Sequence, residues 1–251
     1  MRDFDDSTLW EASDFNVVRQ TSPTSGFARL DGPTTLSSAL LAELGHRRIG
    51  GGLSPDPLEV AAACMRQREA ALLFLQCDGL VWPVTLFPEH HLYHSPRDLA
   101  HASLAGLALA RVLDVEPPGV RAPGPWMREG AGHVDHYRPL RPMLWSLALN
   151  GPRAALLPEI AGPRAYRALR NPADEGFAVS GALGSAVDRL RRETVSLRTI
   201  CEWPGMSAER AGRLLNALYV VSGLLATQTH PAAGAPPASA WGRLGGGQRR
   251  Q

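Results

Sequence analysis

The chain contains no lysine, so all 26 of its basic residues are arginines. That absence removes whole function classes. The phosphate-binding loop of nucleotide hydrolases needs a lysine on the β- and γ-phosphates, protein kinases need one on a strand, and Schiff-base enzymes need a primary amine. With 21 prolines and 25 glycines beside them, the arginines read as the imprint of a GC-rich coding sequence rather than selection for guanidinium chemistry. Cysteine is scarce as well. Cys64, Cys77 and Cys201 are odd in number and lack C-x-x-C spacing, which argues against a disulfide framework and a thiolate zinc site. The G-x-S-x-G elbow of α/β-hydrolases is missing, and Cys77 beside Asp78 has no identifiable base, so it reads as an inert thiol. No apolar run approaches the roughly 20 residues of a bilayer span. The acidic start, Met1-Arg2-Asp3-Phe4-Asp5-Asp6, lacks the basic and apolar regions of a secretory signal. A cytoplasmic protein with no membrane contact and no cofactor is expected.

What is present fits a globular chain. Of 251 residues, 44% are hydrophobic and 20% charged, enough apolar content for a sizeable core in one or two domains. The formal net charge of +2 supplies no global field for nucleic acid or membrane, so such binding must be local. The expected class is α+β, an N-terminal mixed α/β module with a β-hairpin and a mostly helical C-terminal module. Residues 1–32, acidic and Ser/Thr/Pro-rich around Trp10, Phe15 and Phe27, read as an extended arm pinned by its aromatics. An α/β module follows over 33–116, a proline-rich connector over 117–142, a helical module over 143–230 and a Pro/Ala/Gly-rich disordered tail over 231–251.

Within the first module, Leu36, Ala39, Leu40, Ala42 and Leu44 recur at helical spacing up to a stop at Gly45. Gly50-Gly51-Gly52 is a loop without the G-x-G-x-x-G spacing of a phosphate cradle. Ser54-Pro55-Asp56-Pro57 opens a second helix to about Gln67. Asp78-Gly79 between apolar runs signals a hairpin, and Pro83 puts its second strand at an edge or a bulge. The Ala/Leu-rich stretch from Asp98 to Leu113 reads as a buried helix. Further helices are expected over Met143–Leu149, Gly162–Leu169, Gly181–Arg192, Leu197–Trp203 and Ser207–Leu225.

Residues 181–231 run helix, short helix, tight turn at Trp203-Pro204-Gly205-Met206, long helix capped by Ser207, Gly223, then the extended piece Leu224–Thr229. By this element order the C-terminal region resembles a winged helix-turn-helix module of bacterial regulatory proteins. The resemblance covers about a fifth of the chain. Such modules divide between DNA readers and protein-interaction units, and the long helix discriminates. Ala208, Ala211, Leu215, Leu218, Ser222 and Leu225 make its core stripe, and further apolar residues leave only Glu209, Arg210, Arg213 and Asn216 to look outward. A DNA reader needs a polar face, so contact with protein is the first reading.

Glu89-His90-His91-Leu92-Tyr93-His94, with His101 beyond, is the densest metal-ligand cluster. Helical spacing would set His90 and His94 on one face, but no H-E-x-x-H is present and Pro88 and Pro96 bracket the run. A polar edge strand or turn is the plainer reading. His133 and His136, flanking Asp135, complete a site only by folding back. Asp174-Glu175 reads as a solvated turn. The leading expectation is therefore a non-catalytic regulatory or adaptor protein that binds a protein partner or itself through Leu214, Tyr219 and Val220. A transcription regulator is the second, with Arg210, Arg213 and Asn216 on bases or phosphates and Arg189, Arg191, Arg192 and Arg198 as further phosphate contacts. A metal-dependent enzyme using His90, His94 and His101 is the third.

Overall fold

Two antiparallel sheets share one core in this α+β chain. The computed structural model describes residues 9–11, 15, 35–48, 56–129 and 136–233. Phe27, the Gly50–Gly52 loop, Ser54, Pro55, His133, Asp135 and the tail beyond 233 fall outside the described residues. In chain order the elements are β1 (Trp10–Glu11), α1 (Ser38–Arg48), α2 (Pro57–Gln67), β2 (Ala71–Cys77), β3 (Leu80–Phe87), β4 (Leu92–His94), α3 (Leu104–Ala108), β5 (Arg111–Glu116), β6 (Tyr137–Pro139) and α4 (Leu140–Asn150). They continue with β7 (Ala165–Ala168), α5 (Gly181–Arg192), β8 (Val195–Ser196), α6 (Leu197–Cys201), α7 (Ala208–Val220) and β9 (Leu224–Thr227).

The first sheet has the order β5-β2-β3-β4-β6, with β1 also on β3. Its hairpin forms because Asp78 and Gly79 both take positive φ, 53° and 77°, the conformation a two-residue turn between right-twisted strands requires. Alternation then divides the apolar run. Leu73, Leu75, Trp82, Val84 and Leu86 enter the main core, while Leu72, Phe74 and Val81 face the other way and are covered by Phe15. The rings of Phe15 and Phe74 lie 4.9 Å apart, which gives the N-terminal arm one firm anchor.

The expected edge position of Pro83 is not found, because β3 is an inner strand. Counting from the closing pair Cys77–Leu80, Pro83 faces Phe74 at a non-hydrogen-bonded site, so its missing N–H points away from β2. On that far side β1 meets only residues 80 and 81 and β4 only 85 to 87. The proline occupies the gap between them.

Two expected helices are also corrected. Residues 98–113 break into a short turn at Leu99–His101, the five-residue α3 and the strand β5. Asp98 and Ser103 each cap a new start through their side chains, and Val112 and Val115 suit the open edge of β2, where β5 pairs. Likewise Gly162–Leu169 contains β7, which pairs with β8 and β9. High helix propensity loses here to sheet completion.

α2 and α7 follow their caps. The Asp56 carboxylate accepts from the N–H groups of Leu58 and Glu59, Pro57 sits in the first turn, and Arg68 closes α2 with φ 52°. α1 runs past Gly45 to Arg48. Ser207 accepts from the Arg210 N–H, and α7 ends when Ser222, not Gly223, takes the left-handed position at φ 58°. Gly223 then donates to the Leu218 carbonyl and Ser222 to that of Tyr219, a Schellman closure. Among the described residues no helix is long and apolar enough to cross a membrane.

Candidate functional site

The side chains expected to bind a partner do not form an exposed patch. Leu214 is fully buried and Val220 nearly so, and Tyr219 packs partly against the same core. α7 is wrapped by α4 on one side and by residues 150–157 on another, so its apolar circumference is interior. The expected stripe is corrected accordingly: Ala208, Ser222 and Leu225 are exposed, whereas Leu214, Asn216 and Ala217 are buried.

The residues assigned to DNA are mostly spent inside the chain. Asn216 is fully buried; its Oδ1 accepts from the Leu157 N–H at 2.9 Å and its Nδ2 donates to the Ala155 carbonyl at 2.9 Å. Such a group cannot reach a base edge. Arg213 donates to the carbonyls of Leu149 and Gly151 and pairs with Glu209 at 3.0 Å. Arg210 is exposed, with one N–H on the Gly205 carbonyl at 2.6 Å. Residues 149–157 thus occupy the face that a reading helix would present.

The three histidines expected to hold a metal, His90, His94 and His101, do not assemble. His90 ends an exposed turn, edge-on to Phe87 at 6.4 Å. His94 is buried in β4, with the rings of Tyr137 and His136 at 4.8 and 5.6 Å. His101 is exposed and meets Asp98 Oδ2 at 3.0 Å. Among the described residues no group of three His, Cys, Asp or Glu side chains is placed to hold a metal. Asp98 serves structure: its Oδ1 accepts from the buried Tyr93 hydroxyl at 2.7 Å, and that hydroxyl accepts from the Leu99 N–H. Burial and the Asp98 carboxylate drive the Tyr93 phenol well above its ordinary range. Burial likewise lifts the Cys64 thiol to about 12 and the Cys77 thiol to about 11, which leaves both as thiols at neutral pH.

A cluster of open side chains, apolar and basic together, lies on another flank of the C-terminal unit. Where the end of α5 passes β7 and β9, Arg167, Leu169, Asp188, Arg191, Arg192 and Leu225 line a groove of about 440 Å³, within the size range of ligand sites. The local fold explains the opening. β8 pairs with β7 only at residues 165 and 166, so Arg167 and Ala168 have a strand neighbour on the β9 side alone. Along β7 Tyr166 and Ala168 point inward, while Arg167 and Leu169 point out. Leu169 is 57% exposed and Leu225 45%. Arg191 and Arg192 belong to the last turn of α5, where positive charge complements the helix dipole. Arg189, two positions before Arg191, instead lies over the Trp203 ring at 4.3 Å.

Sequence reading reached Arg191 and Arg192 as phosphate contacts but missed Arg167, Leu169 and Asp188. The signal was the alternation of Tyr166-Arg167-Ala168-Leu169, obscured by the helix-forming alanines and leucines around it. No known family, curated protein or solved structure matches the chain.

Proposed function

We propose that this chain is a non-catalytic, cytoplasmic regulatory or adaptor protein whose C-terminal unit acts through contact with another protein. The observation that carries the reading is the pair of exposed leucines, Leu169 and Leu225, set among arginines on the β7–β9 edge. Exposed apolar side chains gathered in a groove rather than scattered mark an interaction site. The element order from α5 to β9, with β8 between α5 and α6, supports kinship in shape with a winged helix-turn-helix module. Within such a module the buried polar contacts of Asn216 and Arg213 favour use as an interaction unit over reading of DNA by α7. The free thiols of Cys64, Cys77 and Cys201 are in keeping with a reducing compartment.

A photo-reactive amino acid placed at position 225 in cells tests the reading. A protein adduct identified by mass spectrometry, and lost when Leu169 is changed to Asp, is the expected result. Nucleic-acid adducts at that position, or none, overturn it.

A further inference from the structure

We propose that the groove between α5 and the β7–β9 edge receives an acidic linear segment of the partner protein. An apolar side chain of that segment seats between Leu169 and Leu225, and its carboxylates meet Arg167, Arg191 and Arg192. The proposal rests on the protein-contact reading above and adds the chemistry of the partner.

Charge complementarity identifies the occupant. The groove sets three guanidinium groups against one carboxylate, Asp188. Arg191 stands 4.0 Å from Asp188, at the outer limit of an ion pair, and Arg167 and Arg192 have no ion-pair partner among the described residues. Many other arginines are matched by carboxylates, among them Arg141 with Glu175, Arg153 with Glu59, Arg189 with Glu193, Arg198 with Glu202 and Arg213 with Glu209, and of those left without one it is Arg167 and Arg192 that share a groove with exposed leucines. Guanidinium forks favour carboxylates because two parallel N–H donors match two oxygens.

The leucines separate a protein from a nucleic acid. Covering them removes apolar surface from water, a gain that scales with the area covered. A phosphodiester backbone brings no apolar group to do so, and its affinity for protein grows with the number of phosphates neutralised. Three arginines beside a carboxylate, on a chain of net charge +2, supply little of that. An acidic peptide with an apolar residue between its carboxylates uses both halves of the groove.

The test selects binders to the full chain from a displayed library of random linear peptides. Enriched peptides are expected to place Asp or Glu on both sides of an apolar residue. Combined Arg167→Glu and Arg192→Glu should weaken them by at least about tenfold, since like charges then face each other, whereas Arg167→Lys with Arg192→Lys, which keeps the charge and loses the paired donors, should weaken them by less. Leu225→Asp should weaken them too, and unchanged thermal unfolding shows that each variant remains folded. Peptides that lack acidic residues, or that lose affinity with Leu225→Asp but not with charge reversal, overturn the acidic chemistry and leave protein contact at the groove standing. Peptides indifferent to every variant, or none enriched, overturn both. Tighter binding of mixed-sequence duplex DNA, abolished by charge reversal, also overturns both and gives the groove to nucleic acid.

Discussion

On one flank of the C-terminal unit Arg213 donates to the carbonyls of Leu149 and Gly151, and Asn216 holds Leu157 and Ala155. On the other flank Arg167 and Arg192 face an open groove beside two exposed leucines. The closed flank continues into the first module. Arg153 pairs with Glu59 on α2 at 2.9 Å and donates to the Leu156 carbonyl, while Arg66 of α2 bridges Glu43 and Glu159. Residues 150–160 therefore act as a strap between α2 and α7. The contrast teaches that a polar residue on a helix reports function only once its partners are known: the same residue types stabilise the fold on one flank and are available to a ligand on the other.

Substitutions that open the closed flank should cost the most. Asn216→Ala leaves the Leu157 N–H and the Ala155 carbonyl buried without partners, and a loss of about 3 kcal/mol is expected in a denaturant melt. A change below the scatter of surface substitutions would mean that the strap is dispensable. Gly212→Ala comes next. A Cβ there would lie 2.3 Å from the Ala154 carbonyl oxygen, so the strap must move, at a cost of about 2 kcal/mol by the same measurement.

A smaller effect is expected at Asp56, where α2 begins beside Arg153. Burial raises its carboxyl pKa above 3.8, against the N–H groups of Leu58 and Glu59 and the charge of Arg153, which act to lower it. A raised folded-state value means that the stability from this group is complete below 3.8 and is lost as pH climbs through the raised value. Asp56→Asn keeps a side-chain acceptor for the helix start and cannot ionise. Its stability relative to the unsubstituted chain should therefore rise with pH across that window, read from thermal melts at stepped pH. A flat or falling difference would show that the capping bonds outweigh burial.

The smallest effect marks the open flank. Arg167→Glu together with Arg192→Glu removes no internal ion pair among the described residues, so stability should change by no more than about 0.5 kcal/mol. A larger loss would place these arginines with the structural ones and erase the contrast between the flanks.

Legibility in the sequence followed the range of the forces involved. The hairpin was readable because Asp78-Gly79 acts across two residues, and α2 because Asp56 and Pro57 act within one turn. β5 and β7 were not, since Ala/Leu-rich stretches carry helical propensity and became strands only by meeting β2 and β9. Residue 165 pairs with residue 227, a partnership with no local signature. Of the groove, Arg191 and Arg192 were visible as outward charges on an amphipathic helix. Arg167 and Leu169 emerged only when the strand assigned them a face.

By itself the amino-acid sequence determined the α+β class, the turn of the first hairpin and the caps of α2 and α7, because these depend on residue type and on neighbours a few positions away. Tertiary structure decided that Leu214, Asn216 and Val220 are interior, that His90, His94 and His101 stay apart, and that Arg167 meets Leu225 across a strand pair. The physical reason is common to all three. Burial and proximity depend on what packs against a residue, and for these side chains that partner lies far along the chain.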